Sequence, residues 1–227
     1  IAGIEDPRER RRAIAIRTRH RDITLFAGNP HQLVKLADTI CKAATKGKAR
    51  PLNLQGVWPN LECVVHGGEA LGASAAKLHR ICGPEVQFHE IYSAAEGLIA
   101  AQDSATTPGL RLITNAGIFY EFLPLIHFQE DRLTHSSPHV IPLAQVKTGV
   151  DYVLIMSTPA GLCRYVTGDI VCFVSTAPHR LVPLGRTQLL LNTFGENVLE
   201  KQISDSLIKV CQDRSWIIVN FHVATLT

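Results

Sequence analysis

Apolar and polar positions follow a strand–helix rhythm over the first 93 residues. Residues 6–21 begin like a helix, with Asp6 placed to cap it and Pro7 in its first turn. The elements predicted after it are strand, helix, strand, helix and strand, over residues 22–28, 31–44, 61–66, 69–82 and 86–93. This order predicts an α/β sheet with helices packed on it.

The pattern changes after about residue 105. Apolar or alternating runs, broken by glycine, proline and polar turns, fill residues 110–175 and predict a mostly antiparallel β region. A helix is predicted over about 196–212 and a strand over 216–226, as at the opening of a small α+β unit. Residues 175–186 contain two prolines and a glycine, so we interpret them as the link between two domains.

The composition excludes several classes of protein. Of the 227 residues, 46% are hydrophobic and 19% are charged, which excludes a mainly disordered chain. No run of about 18 uncharged apolar residues occurs, so neither a spanning helix nor a membrane partner is predicted. The net charge of +3 is too small to indicate nucleic acid. Seven arginines crowd residues 8–21, but no aromatic residue accompanies them to stack on bases, so we interpret them as a solvated helix face and expect no nucleic-acid partner.

The six cysteines form no Cys-x-x-Cys pair, and each lies in an apolar run. This pattern favours buried thiols in a reducing compartment over a zinc site, whose ligands usually come in closely spaced pairs. A cytoplasmic protein is therefore predicted. The chain starts at Ile1 and contains a single methionine, so we expect it to be the interior of a longer protein.

Two loops that follow predicted strands carry residues suited to a nucleotide. In HGGEAL, Gly67 and Gly68 would let a flat ligand approach the backbone, and the helix N-terminus after them favours anions. In YSAAEG, Tyr92 can stack on a ring and Glu96 can hold a cation or a proton. The structural alternatives are a tight strand-to-helix turn for the first loop and, for Glu96, a cap on a following short helix.

Two later loops add an acidic and a basic candidate. In AGLCRYVTGD, Asp169 follows a glycine at the mouth of a strand, where a carboxylate can accept both hydroxyls of a ribose. In GRTQLLLNTFGENV, Arg186 is a hinge residue that can reach a nucleotide. The alternatives are a Gly-Asp turn between strands and a β-hairpin followed by a capped helix. Each loop is a weak signal alone, and only their order and spacing indicate a function.

In this order, the four loops resemble the adenylate-forming superfamily, whose members activate carboxylic acids with ATP. Within it, the chain is most similar to the Gretchen Hagen 3 family, the auxin-responsive acyl-acid amido synthetases. The similar segments are VWPNLECVVHGG, IYSAAEGLIAAQ, IFYEFLP, AGLCRYVTGDIVCF and GRTQLLLNTFGEN, within about residues 22–200. The resemblance implies that residues 1–180 are part of a large ATP- and acyl-acid-binding α/β domain with a β-barrel-like region. Residues 181–227 would then be the hinge and the beginning of a small, mobile C-terminal α+β domain.

The resemblance implies a ligase that works in two steps. The carboxylate of an acyl acid attacks the α-phosphate of ATP and releases pyrophosphate, and the amine of an amino acid then displaces AMP to give an amide. ATP and Mg²⁺ are the implied cofactors, because two anions must be brought together. The implied partners are the small-molecule carboxylic acid and the amino acid.

The resemblance assigns no catalytic residue. The residues that it implies for binding ATP or AMP are Gly67, Gly68, Tyr92, Ala95, Glu96, Tyr165, Asp169 and Arg186. The two glycines would line the adenine slot, and Tyr92 would stack on the adenine ring. Glu96 would also approach Mg²⁺ as a metal ligand. Asp169, which closes a Tyr-x-x-Gly-Asp segment, would bind the ribose hydroxyls, and Arg186 would lie at the hinge near ribose or phosphate.

The chain departs from the family pattern in three places. Ala95 stands where the family has a Ser or Thr hydroxyl, and no phosphate loop rich in Ser, Thr and Gly occurs between Ile1 and Leu61. The late lysine of the C-terminal domain is not found before Thr227. The chain therefore looks like the middle of a longer enzyme. Two alternatives stay open: an acyl-adenylating enzyme of the coenzyme A ligase type, and a degenerate, non-catalytic binding or scaffold domain.

Overall fold

The computed structural model describes residues 3–45, 53–68, 75–128, 138–189, 198–214, 216 and 223. It divides into two compact units, Ile1–Ile91 and Tyr92–Thr227. The elements of the first unit are α1 (Pro7–Thr18), β1 (Leu25–Gly28), α2 (Pro30–Ala44), β2 (Cys63–Gly67) and α3 (Ala75–Cys82). Strand β3 (Gln87–Ala94) crosses the boundary between the units.

Parallel strands form the sheet of the first unit, in the order β1, β2, β3. Two helices begin where the sequence provides a cap and a proline: the side chain of Asp6 accepts from the N–H of Arg8, and that of Asn29 accepts from the N–H of His31. The predicted alternation of strands and helices is confirmed over the described residues. The predicted helix over 69–82 is seen from Ala75 on, and residues 69–74 lie outside the described residues.

Trp58 is the largest fully buried side chain of the first unit's core, with 2% of its surface exposed. Its indole N–H donates to the carbonyl of Thr18, the last residue of α1, at 2.9 Å. Its ring meets Phe26 of β1 edge to face, with the centroids 5.8 Å apart. Trp58 therefore ties the end of α1 to the sheet within this unit, and it satisfies its only polar atom in doing so.

Antiparallel strands make up most of the second unit. Its elements are β4 (Gly97–Ala101), β5 (Leu110–Leu112), β6 (Phe119–Pro124), β7 (Ile141–Pro142), β8 (Asp151–Ser157), β9 (Tyr165–Thr176), β10 (His179–Arg186) and α4 (Glu200–Arg214). After the end of β3, the strand order is β4, β5, β10, β9, β8, β6, β7. The predicted antiparallel region is confirmed, and the mixed α/β class with it. No pairing among the described strands joins β7 to β4, so the barrel-like character stays a prediction.

The sequence pattern indicated a link at residues 175–186, but most of this segment is a strand. Residues 179–186 form β10, which pairs with β9 on one side and with β5 on the other. Arg180 of this strand has only 8% of its side chain exposed and makes a 2.6 Å ion pair with Asp103. It also donates to the carbonyl of Gly109 at 3.2 Å. The segment is therefore part of the packed sheet, while the division of the chain into residues 1–180 and 181–227 stays a prediction.

Two other expectations were only partly right. All six cysteines are free thiols, as expected, but only Cys41 and Cys82 are buried: Cys63, Cys172 and Cys211 are half-buried, and Cys163 is exposed. Cys82 shows the expected burial, which raises the pKa of its thiol to about 12, with a further contribution from Cys41. The predicted strand over 216–226 lies outside the described residues except for positions 216 and 223. Among the described helices, none is long and apolar enough to cross a membrane.

Replacing Trp58 by alanine tests the core of the first unit. We expect Trp58→Ala to lower the free energy of unfolding by about 3–5 kcal/mol, because it leaves a cavity and removes the partner of the Thr18 carbonyl. Urea titration followed by circular dichroism measures the change. Trp216→Ala is the matched control, since Trp216 is 58% exposed and, among the described residues, the partner seen for its ring is the Arg214 guanidinium, at 5.2 Å. Equal effects of the two substitutions would contradict this account of the core.

Candidate functional site

A buried carboxylate, Asp169, lies at the centre of the candidate site in the second unit. The residue is 7% exposed. The hydroxyl of Tyr92 donates to its Oδ2 at 2.7 Å, across a sequence separation of 77 residues. The structure thus brings together two residues that the sequence analysis selected from different loops.

Arg186 holds the other oxygen of the same carboxylate. Its Nε lies 3.2 Å from Asp169 Oδ1. The register of β9 and β10 pairs these two residues directly, so the ion pair follows from the strand pairing. The side chain of Arg186 is 60% exposed, whereas that of Asp169 is 10% exposed. The pair therefore lies at the surface on the arginine side only.

An irregularity in β9 determines where Asp169 points. Val153 of β8 pairs with Ile170, but Ile155, two residues further along, pairs with Val166, so β9 has extra residues at this point. Gly168 lies among them with a φ of +78°, a conformation that favours glycine. The segment is thus a bulge inside a strand, not the Gly-Asp turn considered as an alternative. Bulges commonly redirect a side chain next to a functional site.

Thr167 stabilises the bulge, a role that no pattern in the sequence indicated. Its hydroxyl donates to the carbonyl of Leu154 at 3.1 Å and accepts from the N–H of Asp169 at 3.1 Å. One hydroxyl therefore links β8 to the backbone of the acidic residue. A Thr two residues before an Asp is too common for this role to be recognised from spacing alone.

Ala95 and Glu96 form the turn of a β-hairpin between β3 and β4, so no short helix follows for Glu96 to cap. Ala95 is exposed and Glu96 is half-buried. Burial, the Asp169 carboxylate and its hydrogen bond raise the pKa of the Tyr92 hydroxyl, and Glu96 contributes to the same shift, while Arg186 opposes it. Tyr92, Glu96, Asp169 and Arg186 therefore lie in one electrostatic neighbourhood, which we call the Asp169 cluster.

Among the described residues, Tyr165 makes no hydrogen bond with the Asp169 cluster. It is the first residue of β9, pairs with Met156 of β8 and is 42% exposed.

Among the described residues, no group of three or more His, Cys, Asp or Glu side chains is arranged to hold a metal ion. Mg²⁺ in nucleotide sites needs only one or two carboxylates because phosphates and water complete its shell. The half-buried Glu96 fits that requirement.

Gly67 and Gly68 end strand β2 in the first unit. A Cβ on Gly67 would collide with the backbone oxygen of Ile91 and lie 2.9 Å from Ile91 Cγ1, on the neighbouring strand β3. Gly68 has a φ of +85°, and a Cβ there would meet only Asn29 Nδ2, at 3.8 Å. The first glycine is therefore required by close strand packing and the second by backbone conformation.

His66, directly before these glycines, is a buried polar residue that the sequence pattern did not mark as a candidate. It is 4% exposed, and its Nδ1 has no hydrogen-bond partner among the described residues. Burial lowers the pKa of His66 to about 4, and the nearby His79 and His89 add to the shift. His66 is therefore neutral in the folded protein at neutral pH.

Residues 111–186 match the GH3 family central domain, a range that contains Asp169 and Arg186. The human GH3 domain-containing protein is 28% identical over 189 residues, which cover 81% of this chain and 34% of that protein. A jasmonoyl–L-amino acid synthetase of Nicotiana attenuata is 28% identical over 155 residues, which cover 64% of this chain and 26% of that protein. The resemblance to the Gretchen Hagen 3 (GH3) family is confirmed. The chain spans about a third or less of the length of these two relatives.

Solved structures of adenylate-forming enzymes share this fold at low identity. The GH3.15 acyl acid amido synthetase matches with a TM-score of 0.56 and 16% identity, over 87% of this chain and 43% of that one. A 2-hydroxyisobutyryl-CoA ligase in complex with an acyl-AMP matches with a TM-score of 0.64 and 16% identity, over 91% of this chain and 41% of that one. ATP-bound MatB from Rhodopseudomonas palustris matches with a TM-score of 0.52 and 16% identity, over 85% of this chain and 36% of that one.

The two glycines at the end of β2 should differ in their tolerance of a methyl group. We expect Gly67→Ala to lower the free energy of unfolding by about 3 kcal/mol, because its Cβ can be accommodated only if β2 and β3 move apart. Gly68→Ala should cost about 1 kcal/mol, through its left-handed backbone alone. Thermal and urea unfolding of both variants measure the difference, and a larger effect at Gly68 would contradict this explanation.

His66 should make the stability of the protein depend on pH. Its pKa is about 4 in the folded chain and 6.5 in an ordinary setting, so the unfolded chain binds the extra proton between these values. Stability should therefore fall as the pH drops from about 6.5 to about 4, by about 2–3 kcal/mol from this residue. Urea titrations across this range should show a shallower fall for His66→Gln than for the wild type or for the exposed His20→Gln. An unchanged slope in His66→Gln would contradict the prediction.

Proposed function

We propose that this chain is the nucleotide-binding middle portion of an ATP-dependent acyl-acid amido synthetase. The observation that carries the proposal is the Asp169 cluster, in which a buried carboxylate is held by a tyrosine and an arginine. Asp169 and Arg186 lie inside the segment that matches the GH3 family central domain, and Tyr92 precedes it. The relatives named above include an amido synthetase of jasmonate and one of acyl acids.

The proposed reaction forms and breaks two sets of bonds. In the first step an oxygen of the acid's carboxylate bonds to the α-phosphorus of ATP, and pyrophosphate leaves. In the second step the nitrogen of an amino acid bonds to the acyl carbon, AMP leaves, and the amine loses a proton. The partners are a small carboxylic acid and an amino acid. Mg²⁺ would neutralise phosphate charge during the first step.

The residues of the cluster have different proposed roles. Asp169 accepts hydrogen bonds from the two hydroxyl groups of the ribose, because a buried carboxylate that is held in one orientation is a strong acceptor. Arg186, exposed beside it, exchanges between Asp169 and the nucleotide. Glu96, in the hairpin turn, would bind the Mg²⁺ ion through its carboxylate. The exposed Ala95 beside it cannot offer the hydroxyl that the family has there. Tyr165, at the start of β9, would contribute to nucleotide binding.

Gly67 and Gly68 of the first unit are proposed to line the adenine slot. Their tight packing and left-handed backbone account for them structurally, so this role rests on the resemblance. The location of the protein is proposed to be the cytoplasm, which the six reduced cysteines support. Control of its expression by auxin would follow only from the family.

A coenzyme A ligase is the second candidate function. The observation that favours it is the fold match to a 2-hydroxyisobutyryl-CoA ligase in complex with an acyl-AMP. Both candidates share the adenylation step and differ in the acceptor. Supplying either amino acids or coenzyme A to the full-length parent and identifying the product by mass spectrometry separates them.

Asp169→Asn tests the proposed ribose contact. We expect about a ten- to hundred-fold loss of ATP affinity, because the substitution replaces a charged acceptor and its ion pair by an amide. Isothermal titration calorimetry of the chain and acid-dependent pyrophosphate exchange by the full-length parent measure the loss.

Asp205→Asn is the matched control for this substitution. Asp205 is exposed on α4, and its ion pair among the described residues is with Lys201 along the helix, at 2.9 Å. It should leave both measurements unchanged. Equal ATP affinity in the wild type and in Asp169→Asn would remove Asp169 from the site, and a parent that supports no pyrophosphate exchange with a panel of acids would overturn the proposed function.

A further inference from the structure

We propose that the hydroxyl of Tyr92 is a positioning group: it fixes the Asp169 carboxylate so that the site distinguishes ribose from deoxyribose. This inference rests on the proposed function and goes beyond the stacking role that the resemblance implies for Tyr92. That role uses only the aromatic ring. The structure shows a specific bond made by the hydroxyl.

The direction of this hydrogen bond is well defined. Tyr92 is 9% exposed and Asp169 is 7% exposed, so water does not compete freely for either group. Burial and the neighbouring carboxylate raise the pKa of Tyr92, so the phenol keeps its proton and donates it. Asp169 Oδ2, at 2.7 Å, is the acceptor, and bonds between a hydroxyl and a carboxylate are short and strong.

The two oxygens of Asp169 are held differently. Oδ2 is held by the hydroxyl of Tyr92, a residue of β3 whose side chain belongs to the packed core of the second unit. Oδ1 is held by the Nε of Arg186, whose side chain is 60% exposed. The arginine can turn toward solvent when ligand hydroxyls replace it on Oδ1, whereas the buried tyrosine cannot. Oδ1 is therefore the oxygen that a ligand can take over.

A ribose diol fits this arrangement. Each carboxylate oxygen accepts about two hydrogen bonds, so Oδ1 and the remaining lone pair of Oδ2 can receive two hydroxyl hydrogens. With Tyr92 in place, the carboxylate plane is fixed in advance, and no free energy is lost in orienting it when the nucleotide binds. A site built to bond a hydroxyl rejects the analogue that lacks it, because its polar atoms are then left unpaired.

Tyr92→Phe separates the two possible roles of this residue. The phenylalanine ring keeps the stacking surface and removes the hydroxyl alone. We expect about a ten-fold loss of ATP affinity in the 227-residue chain, with a smaller loss for 2′-deoxy-ATP and 3′-deoxy-ATP. The preference for ATP over each deoxynucleotide should therefore shrink. Titration calorimetry with the three nucleotides measures it.

Tyr120→Phe is the matched control. Tyr120 is also buried in the core of the second unit, but its hydroxyl has no hydrogen-bond partner among the described residues. Removing that hydroxyl should leave all three affinities unchanged. Circular dichroism of both variants verifies that the fold is retained.

A double-mutant cycle links the effect to Asp169. In an Asp169→Asn background, Tyr92→Phe should change the preference for ATP by less than two-fold, because the carboxylate it positions is gone. The same four proteins are also compared by their free energies of unfolding without nucleotide, and the coupling between the two substitutions then measures the hydrogen bond itself. Coupling in both measurements supports the proposal.

Two results would overturn the proposal, and they are distinguishable. If the wild type binds ATP and Tyr92→Phe keeps the full preference over both deoxynucleotides, the positioning role is wrong while the proposed function stands. If the wild type binds none of the three nucleotides although the unfolding cycle shows coupling, the ribose contact fails together with the proposed function. An equal loss of affinity for all three nucleotides is one form of the first result and indicates a purely structural role for the hydroxyl.

Discussion

The hydrogen bond from Tyr92 to Asp169 is the contact on which the candidate site depends. A carboxylate that is buried without partners is strongly destabilising, so its location requires donors on both oxygens. The hydroxyl of Tyr92 provides one from β3, and Arg186 provides the other from β10. The need to satisfy a single charged group therefore holds β3 against the β9–β10 hairpin, although Tyr92 and Asp169 are 77 residues apart in the chain.

Local pattern was sufficient to predict much of the fold. The apolar periodicity of residues 31–44 and the cap at Asn29 are properties of neighbouring residues, and α2 forms where they indicate. The same holds for the antiparallel strands predicted over residues 110–175, although the antiparallel pairing begins earlier than predicted, at β4 (Gly97–Ala101). The site residues Tyr92, Asp169 and Arg186 were selected because their motifs occur in a familiar order, and the structure brings these three together.

Two features could not be predicted because they depend on pairing between distant strands. Pro183 and Gly185 normally mark a break, which is why residues 175–186 were interpreted as a link. In the structure the register between β9 and β10 shifts between these two residues, and a proline without an N–H is tolerated at such a shift. Likewise, Gly168 and Asp169 have the composition of a turn, and only the partner strand β8 shows that they form a bulge.

The bulge also affects which sequence changes the second unit can accept. Side chains alternate between the two faces of a strand, so a shift of one residue would carry Asp169 to the opposite face and away from Tyr92. The extra residues of β9, pinned by Thr167 and by the left-handed Gly168, set that register from within the strand. Substitutions that conserve size are therefore tolerated around residues 165–170 more readily than an insertion or deletion of a single residue. The length of this segment is constrained more tightly than its composition.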